Sequence, residues 1–145
     1  MITYRTANSK DIKNIARLHA ESWRLNYRGI WSDDFLDNRV VEERLSVWEK
    51  RIKEPADNQY ILIAEEEGHL CGFACMYFDK DATFGNYLDN LHVSKDKSGR
   101  GIGTELMKRT ALAAQKASSN PKYWLWVLEE NHGCLLYTSP SPRDS

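Results

Sequence analysis

Ser98-Gly99-Arg100-Gly101-Ile102-Gly103-Thr104-Glu105 stands between a strand-like run, Tyr87 to Val93, and a run with helical spacing. The glycines at 99, 101 and 103 leave bare backbone where a helix begins, so successive N–H groups and the positive end of the helix dipole converge on an anion. A pyrophosphate suits such a cradle. A mononucleotide P-loop requires a lysine after its last glycine, but Gly103 is followed by Thr104 and Glu105. A dinucleotide loop requires G-x-G-x-x-G directly after a buried strand, whereas here G-x-G-x-G follows the charged stretch Ser94-Lys95-Asp96-Lys97.

Around the loop, hydrophobic periodicity places the elements. Ile2 to Arg5 reads as a strand, and Asn8 with Asp11 forms an N-cap pair for a helix whose apolar face is Ile12, Ile15, Ala16 and His19. An aromatic-rich connection runs from Trp23 to Trp31. Val41, Leu45, Trp48 and Ile52 recur at helical spacing until Pro55 closes a second helix. Gln59 to Glu65 and His69 to Phe78 are strands joined at Glu66-Glu67-Gly68, and Gly85-Asn86 precedes the next strand, which makes an antiparallel meander. Ile102, Leu106, Thr110, Ala113 and Ala117 give the helix after the glycine loop its buried stripe, and Tyr123 to Leu128 forms a fifth strand. The implied class is α/β (α+β): a mixed, mainly antiparallel sheet flanked by helices, whose single strand-helix-strand crossover carries the loop.

Composition narrows the function. A chain of 145 residues, 41% hydrophobic, supports one domain with its own core. A net charge of −1 provides no basic field for nucleic acid. The longest apolar run, Tyr123 to Leu128, is far short of a membrane span, and a soluble, cytoplasmic protein is expected. Cys71 and Cys75 lie four residues apart in one strand, about 13 Å, too far to pair. The histidines show no metal-ligand spacing, so no metal is expected.

Three segments taken together resemble the GCN5-related N-acetyltransferase family: Leu88 to Ser94, Gly99 to Met107, and Leu125 to Asn131. That family's signature, Q/R-x-x-G-x-G/A between its fourth strand and third main helix, places its glycines at Gly101 and Gly103, with Ser98 at the Q/R position. Ser22-Trp23-Arg24-Leu25-Asn26-Tyr27-Arg28-Gly29-Ile30 is similar to an S-W-x-x-x-Y-x-G-I stretch of some bacterial members. The resemblance spans residues 2 to 133. Cys134 to Ser145, with prolines at 140 and 142, resembles translated adapter sequence; this reading divides the chain into an incomplete domain, 1–133, lacking the family's last helix and strands, and a non-native or disordered tail, 134–145.

The resemblance implies transfer of an acetyl group from acetyl-CoA to a primary amine of a small molecule or peptide N-terminus by direct attack. It assigns the pyrophosphate to Ser98, Gly99, Arg100, Gly101, Ile102, Gly103 and Thr104, and the pantetheine amides to the backbone of Leu91, His92 and Val93. Asn131 matches a cofactor contact. An oxyanion donor is implied at a strand bulge near Asn90 or Leu91. Asp89 is the candidate base, with Glu129 and a water relay behind it, whereas the position of the family's acidic tyrosine falls on Thr138. Trp23, Tyr27 and Trp31, with Phe35, would line the acceptor side. A branched side chain at Gly103 is expected to intrude on the pyrophosphate and strain any positive φ. A homodimer is compatible with this reading. A non-catalytic acyl-CoA-binding module and an inactive fragment remain open alternatives.

Overall fold

The structure, a computed structural model, describes residues 1–81, 85–117, 124–129 and 133–138. Strand β1 (Ile2–Thr6) leads through a short 3-10 turn, Ser9–Asp11, into α1 (Ile12–Asn26). The predicted cap is present in full: the Asn8 side chain accepts from the Lys10 N–H, and Asp11 Oδ2 accepts from the Asn8 N–H at 2.8 Å. Arg5 grips the same Asp11 carboxylate with both terminal nitrogens at 2.9 Å, fastening the helix start to β1. Helix α1 runs on through Trp23 to Asn26, a stretch expected to be connection, and a second short helix, α2 (Asp33–Asn38), follows with Ser32 capping Phe35. Then come α3 (Val40–Lys53), β2 (Gln59–Glu66), β3 (His69–Asp81), β4 (Gly85–Val93), α4 (Ile102–Ala117), β5 (Trp124–Glu129) and β6 (Gly133–Thr138).

The sheet order is β1-β2-β3-β4-β5-β6, antiparallel except for the β4–β5 pair, which is parallel and joined by the α4 crossover. Helix α4 covers one face, over Leu62, Ala64, Ala74, Met76 and Leu88. Helices α1 and α3 cover the other, where Ile15, Trp48, Ile63 and Phe73 are almost wholly buried. In α4 the buried positions are Ile102, Leu106, Thr110, Ala111 and Ala114, so the apolar stripe follows the 3.6-residue turn and leaves Ala117 exposed. Thr110 satisfies its hydroxyl within the helix by donating to the Leu106 carbonyl at 2.9 Å.

At the sheet's end, Gly133 to Thr138 forms a strand antiparallel to β5, with Leu125 opposite Tyr137. The run Cys134-Leu135-Leu136-Tyr137-Thr138 has strand-forming side chains and ends before the first tail proline, which is why the prolines do not prevent it. Among the described residues, no helix is long and apolar enough to cross a membrane, and no three His, Cys, Asp or Glu side chains group as metal ligands. Cys71 and Cys75 are buried free thiols.

Candidate active site

Two backbone irregularities meet at β4. Cys75 pairs with Asn90 and Met76 with Leu88, so Asp89 has no partner on β3 and forms a bulge. The parallel ladder to β5 ends at the same place, its last pair being Leu88 with Val127. Beyond it, Asn90 to Val93 pair with β3 alone among the described residues, leaving one edge of β4 open. The expected bulge near Asn90 or Leu91 thus lies at Asp89.

Just past that open edge, Lys95–Lys97 makes a 3-10 turn and the glycine loop enters α4. Gly99 and Gly101 adopt φ of +82° and +79°, which L side chains tolerate poorly, and this turns successive peptide N–H groups toward one side. None of the N–H groups from Gly99 to Thr104 donates to another described residue, whereas Glu105 N–H closes the first helical bond to the Gly101 carbonyl at 3.0 Å. Gly103 differs from expectation. Its φ is not positive, and an added Cβ would meet Val93 Cγ2 at 3.5 Å, an ordinary contact. Ser98 Oγ donates to the Lys95 carbonyl at 2.8 Å, bracing the turn that precedes the loop. Ile102 is buried in the core under α4, and Leu91 and Val93 pack on the same side.

The side chain of His92 emerges on the opposite face. Its ring lies 4.7 Å from that of His19 and its Nδ1 is 3.0 Å from Ser22 Oγ. Asn26 donates to Ser22 Oγ at 3.2 Å, so the serine hydroxyl bridges that amide and the His92 ring. The predicted acceptor-side aromatics do cluster. Trp23 is 4.9 Å from Tyr27 and 5.8 Å from Trp31, and Trp31, which is exposed, is 5.3 Å from Phe35. Trp23 also meets His19 edge-on at 6.3 Å, so the aromatic wall continues into the histidine pair and from there to β4.

Residues 15–137 match the model of the acetyltransferase (GNAT) family. The chain belongs to that family. It is 27% identical over 147 residues to YuaI of Bacillus subtilis (strain 168), an uncharacterized N-acetyltransferase, covering 99% of this chain and 81% of that protein. Among solved structures, the PaiA N-acetyltransferase of Thermoplasma acidophilum in complex with coenzyme A superposes with a TM-score of 0.67 at 19% identity, over 91% of this chain and 82% of that one. A GNAT family acetyltransferase from Brucella melitensis in complex with acetyl-CoA gives 0.66 at 16% identity, over 100% and 94%. At such identities these two likenesses are of fold.

Within the acetyltransferase, Asp89 is engaged elsewhere than expected. Arg51 of α3 sits 2.9 Å from Asp89 Oδ2 and donates to Asn90 Oδ1 at 2.9 Å, because the bulge turns two consecutive side chains to the α3 side. An amine approaching Asp89 would meet this guanidinium beside the carboxylate. Asn131 lies outside the described residues. Sequence reasoning missed the parts played by Arg51 and Ser22, which α3 and α1 bring to β4 from far back in the chain.

The histidine pair has a measurable consequence. Trp48 Nε1 donates to His19 Nδ1 at 2.9 Å. Burial, assisted by His92, Arg44 and Arg51, lowers the His19 pKa to about 2, and burial lowers that of His92 to about 4, although Asp89 pulls the latter upward. Both rings are therefore neutral when folded, whereas unfolded imidazoles take up protons near 6.5. The unfolded chain binds more protons below that value, so stability falls as pH drops from about 6.5 toward 4, by roughly 1.4 kcal/mol per pH unit for each histidine. Urea melts at about pH 7 and 5 are expected to show this loss, and His19→Gln should reduce it to roughly the share of His92 alone. A wild-type midpoint unchanged between them would contradict the buried neutral pair.

Proposed function

We propose that this acetyltransferase binds acetyl-CoA along the open edge of β4 and the glycine loop, and transfers the acetyl group to a primary amine of a small molecule or peptide N-terminus. The observation that carries the reading is the coincidence of the two irregularities. The ladder between β4 and β5 parts at Leu88, where the bulge begins, and the strand leads directly to six backbone N–H groups without acceptors among the described residues.

These features fit the ligand's chemistry. A string of amides needs an unpaired strand edge, which the backbone of Leu91, His92 and Val93 supplies, and a pyrophosphate needs converging N–H donors at a helix start, which Gly99 to Thr104 supply. Acetyl-CoA, when bound, brings an activated thioester; the amine nitrogen bonds to its carbonyl carbon and gives up a proton, the carbon–sulfur bond breaks, and the departing thiolate takes up a proton to leave as the thiol. A backbone N–H at the Asp89 bulge is the candidate donor to the carbonyl oxygen. Trp23, Tyr27 and Trp31 form the wall against which the acceptor's carbon skeleton would lie, with the amine directed to β4.

Calorimetric titration with acetyl-CoA, followed by thiol-release assays over a panel of primary amines, tests the reading. Binding with amine-dependent thiol release supports it. Binding with no release for any amine would favour a module that holds acyl-CoA without transfer, and no binding would remove the cofactor site.

A further inference from the structure

Glu66 ends β2, at the turn where Glu67 and Gly68 both take positive φ, yet its carboxylate reaches the glycine loop. Its Oε1 lies 3.2 Å from Lys97 Nζ, while Arg100 donates from both terminal nitrogens, one to each carboxylate oxygen, at 3.3 Å. The Met1 ammonium is 3.6 Å away on the outer side. Lys97 precedes and Arg100 follows Gly99, so one carboxylate ties down the charged side chains on both flanks of the loop's first left-handed glycine. A cleft beside it is lined by Glu66, Glu67, Asp96, His69 and Lys97, three carboxylates to one lysine, with Asp96 held by Ser94. Arg100 and Lys97 keep the Glu66 carboxyl down at about 2, so it stays anionic throughout the physiological range.

We propose that Glu66 is a built-in competitor for the phosphates of coenzyme A: it holds Arg100 and Lys97 beside the glycine loop and yields them to the ligand, thereby limiting affinity for it. This rests on the cofactor reading above. Any phosphate seated on the loop's N–H groups lies near two cations already neutralised by a carboxylate of the same sign as itself, so binding must break the ion pairs and accept the repulsion. The pairs are exposed enough to exchange: the Arg100 side chain is 45% accessible. A purely structural strut predicts that loss of Glu66 weakens binding. A competitor predicts the reverse.

The test is calorimetric titration of coenzyme A and of 3′-dephospho-coenzyme A into the wild type, Glu66→Gln, Glu66→Asp, and Glu66→Gln in an Arg100→Gln/Lys97→Gln background. Glu66→Gln is expected to tighten coenzyme A binding roughly two- to fivefold, and Glu66→Asp, which draws the carboxylate back from both cations, by less. In the background lacking the two cations the gain should shrink. A gain that survives removal of the 3′-phosphate assigns the exchange to the pyrophosphate, and one that is lost assigns it to the 3′-phosphate. Folded Glu66 variants that bind coenzyme A equally or more weakly would overturn the proposal. A wild type that binds no coenzyme A would overturn the cofactor reading and this inference with it.

Discussion

Gly101→Val is expected to weaken coenzyme A binding at least tenfold and to lower the melting temperature by several degrees in a protein that still folds. Gly101 sits at φ +79°, where a β-branched residue is strained by roughly 1–3 kcal/mol. No atom lies within 4 Å of an added Cβ, so the strain is one of conformation and not of crowding. The chain relieves it by rotating the peptide, which turns away the N–H groups of the cradle and disturbs the Gly101 carbonyl that accepts from Glu105. Gly103→Ala is the comparison for the fold: its φ is not positive and a Cβ there makes only the 3.5 Å contact with Val93, so its melting temperature should stay close to that of wild type. Calorimetry with coenzyme A and thermal melts on the three proteins check this. Equal affinity for Gly101→Val would remove the loop from the binding site.

Gly72→Ala should have the largest effect on the fold. An added Cβ would lie 2.8 Å from the His92 carbonyl oxygen and 3.2 Å from Leu106 Cδ1, closer than real side chains approach backbone. Gly72 pairs with Val93 across the β3–β4 ladder, so the two strands must part where β4 carries its open edge. Overpacking of this kind costs about 1–3 kcal/mol, and displacement of His92 and Val93 should also lower affinity for coenzyme A. Urea denaturation with a parallel binding titration measures both, and a variant as stable as wild type would show that the strands are not so closely held.

The layers were legible in the sequence because they rest on local chemistry. The Asn8/Asp11 box, the 3.6-residue stripes and the Glu66-Glu67-Gly68 hairpin each specify an element within a few residues, and the crossover follows from element order. The glycine loop was legible for the same reason, apart from which of its glycines takes a positive φ. Three things were not. The start of α2 depends on Ser32 as a cap within an aromatic stretch that reads as connection. The Asp89 bulge is a mismatch between two strands and leaves no mark on either alone. Arg51 reaches Asp89, and Ser22 reaches His92, across 38 and 70 residues of chain, distances over which residue spacing carries no information until the sheet is assembled.

The open edge of β4 and the N–H cradle of the loop are proposed to form one site for acetyl-CoA. Amide chemical shifts of the isotope-labelled protein, followed during titration with coenzyme A, test it most directly. Saturable shifts are expected at Leu91, His92 and Val93 and from Gly99 to Thr104, with α1 and β1 largely unmoved. Saturable binding that leaves those amides in place, or no shifts at all at millimolar ligand, would contradict it.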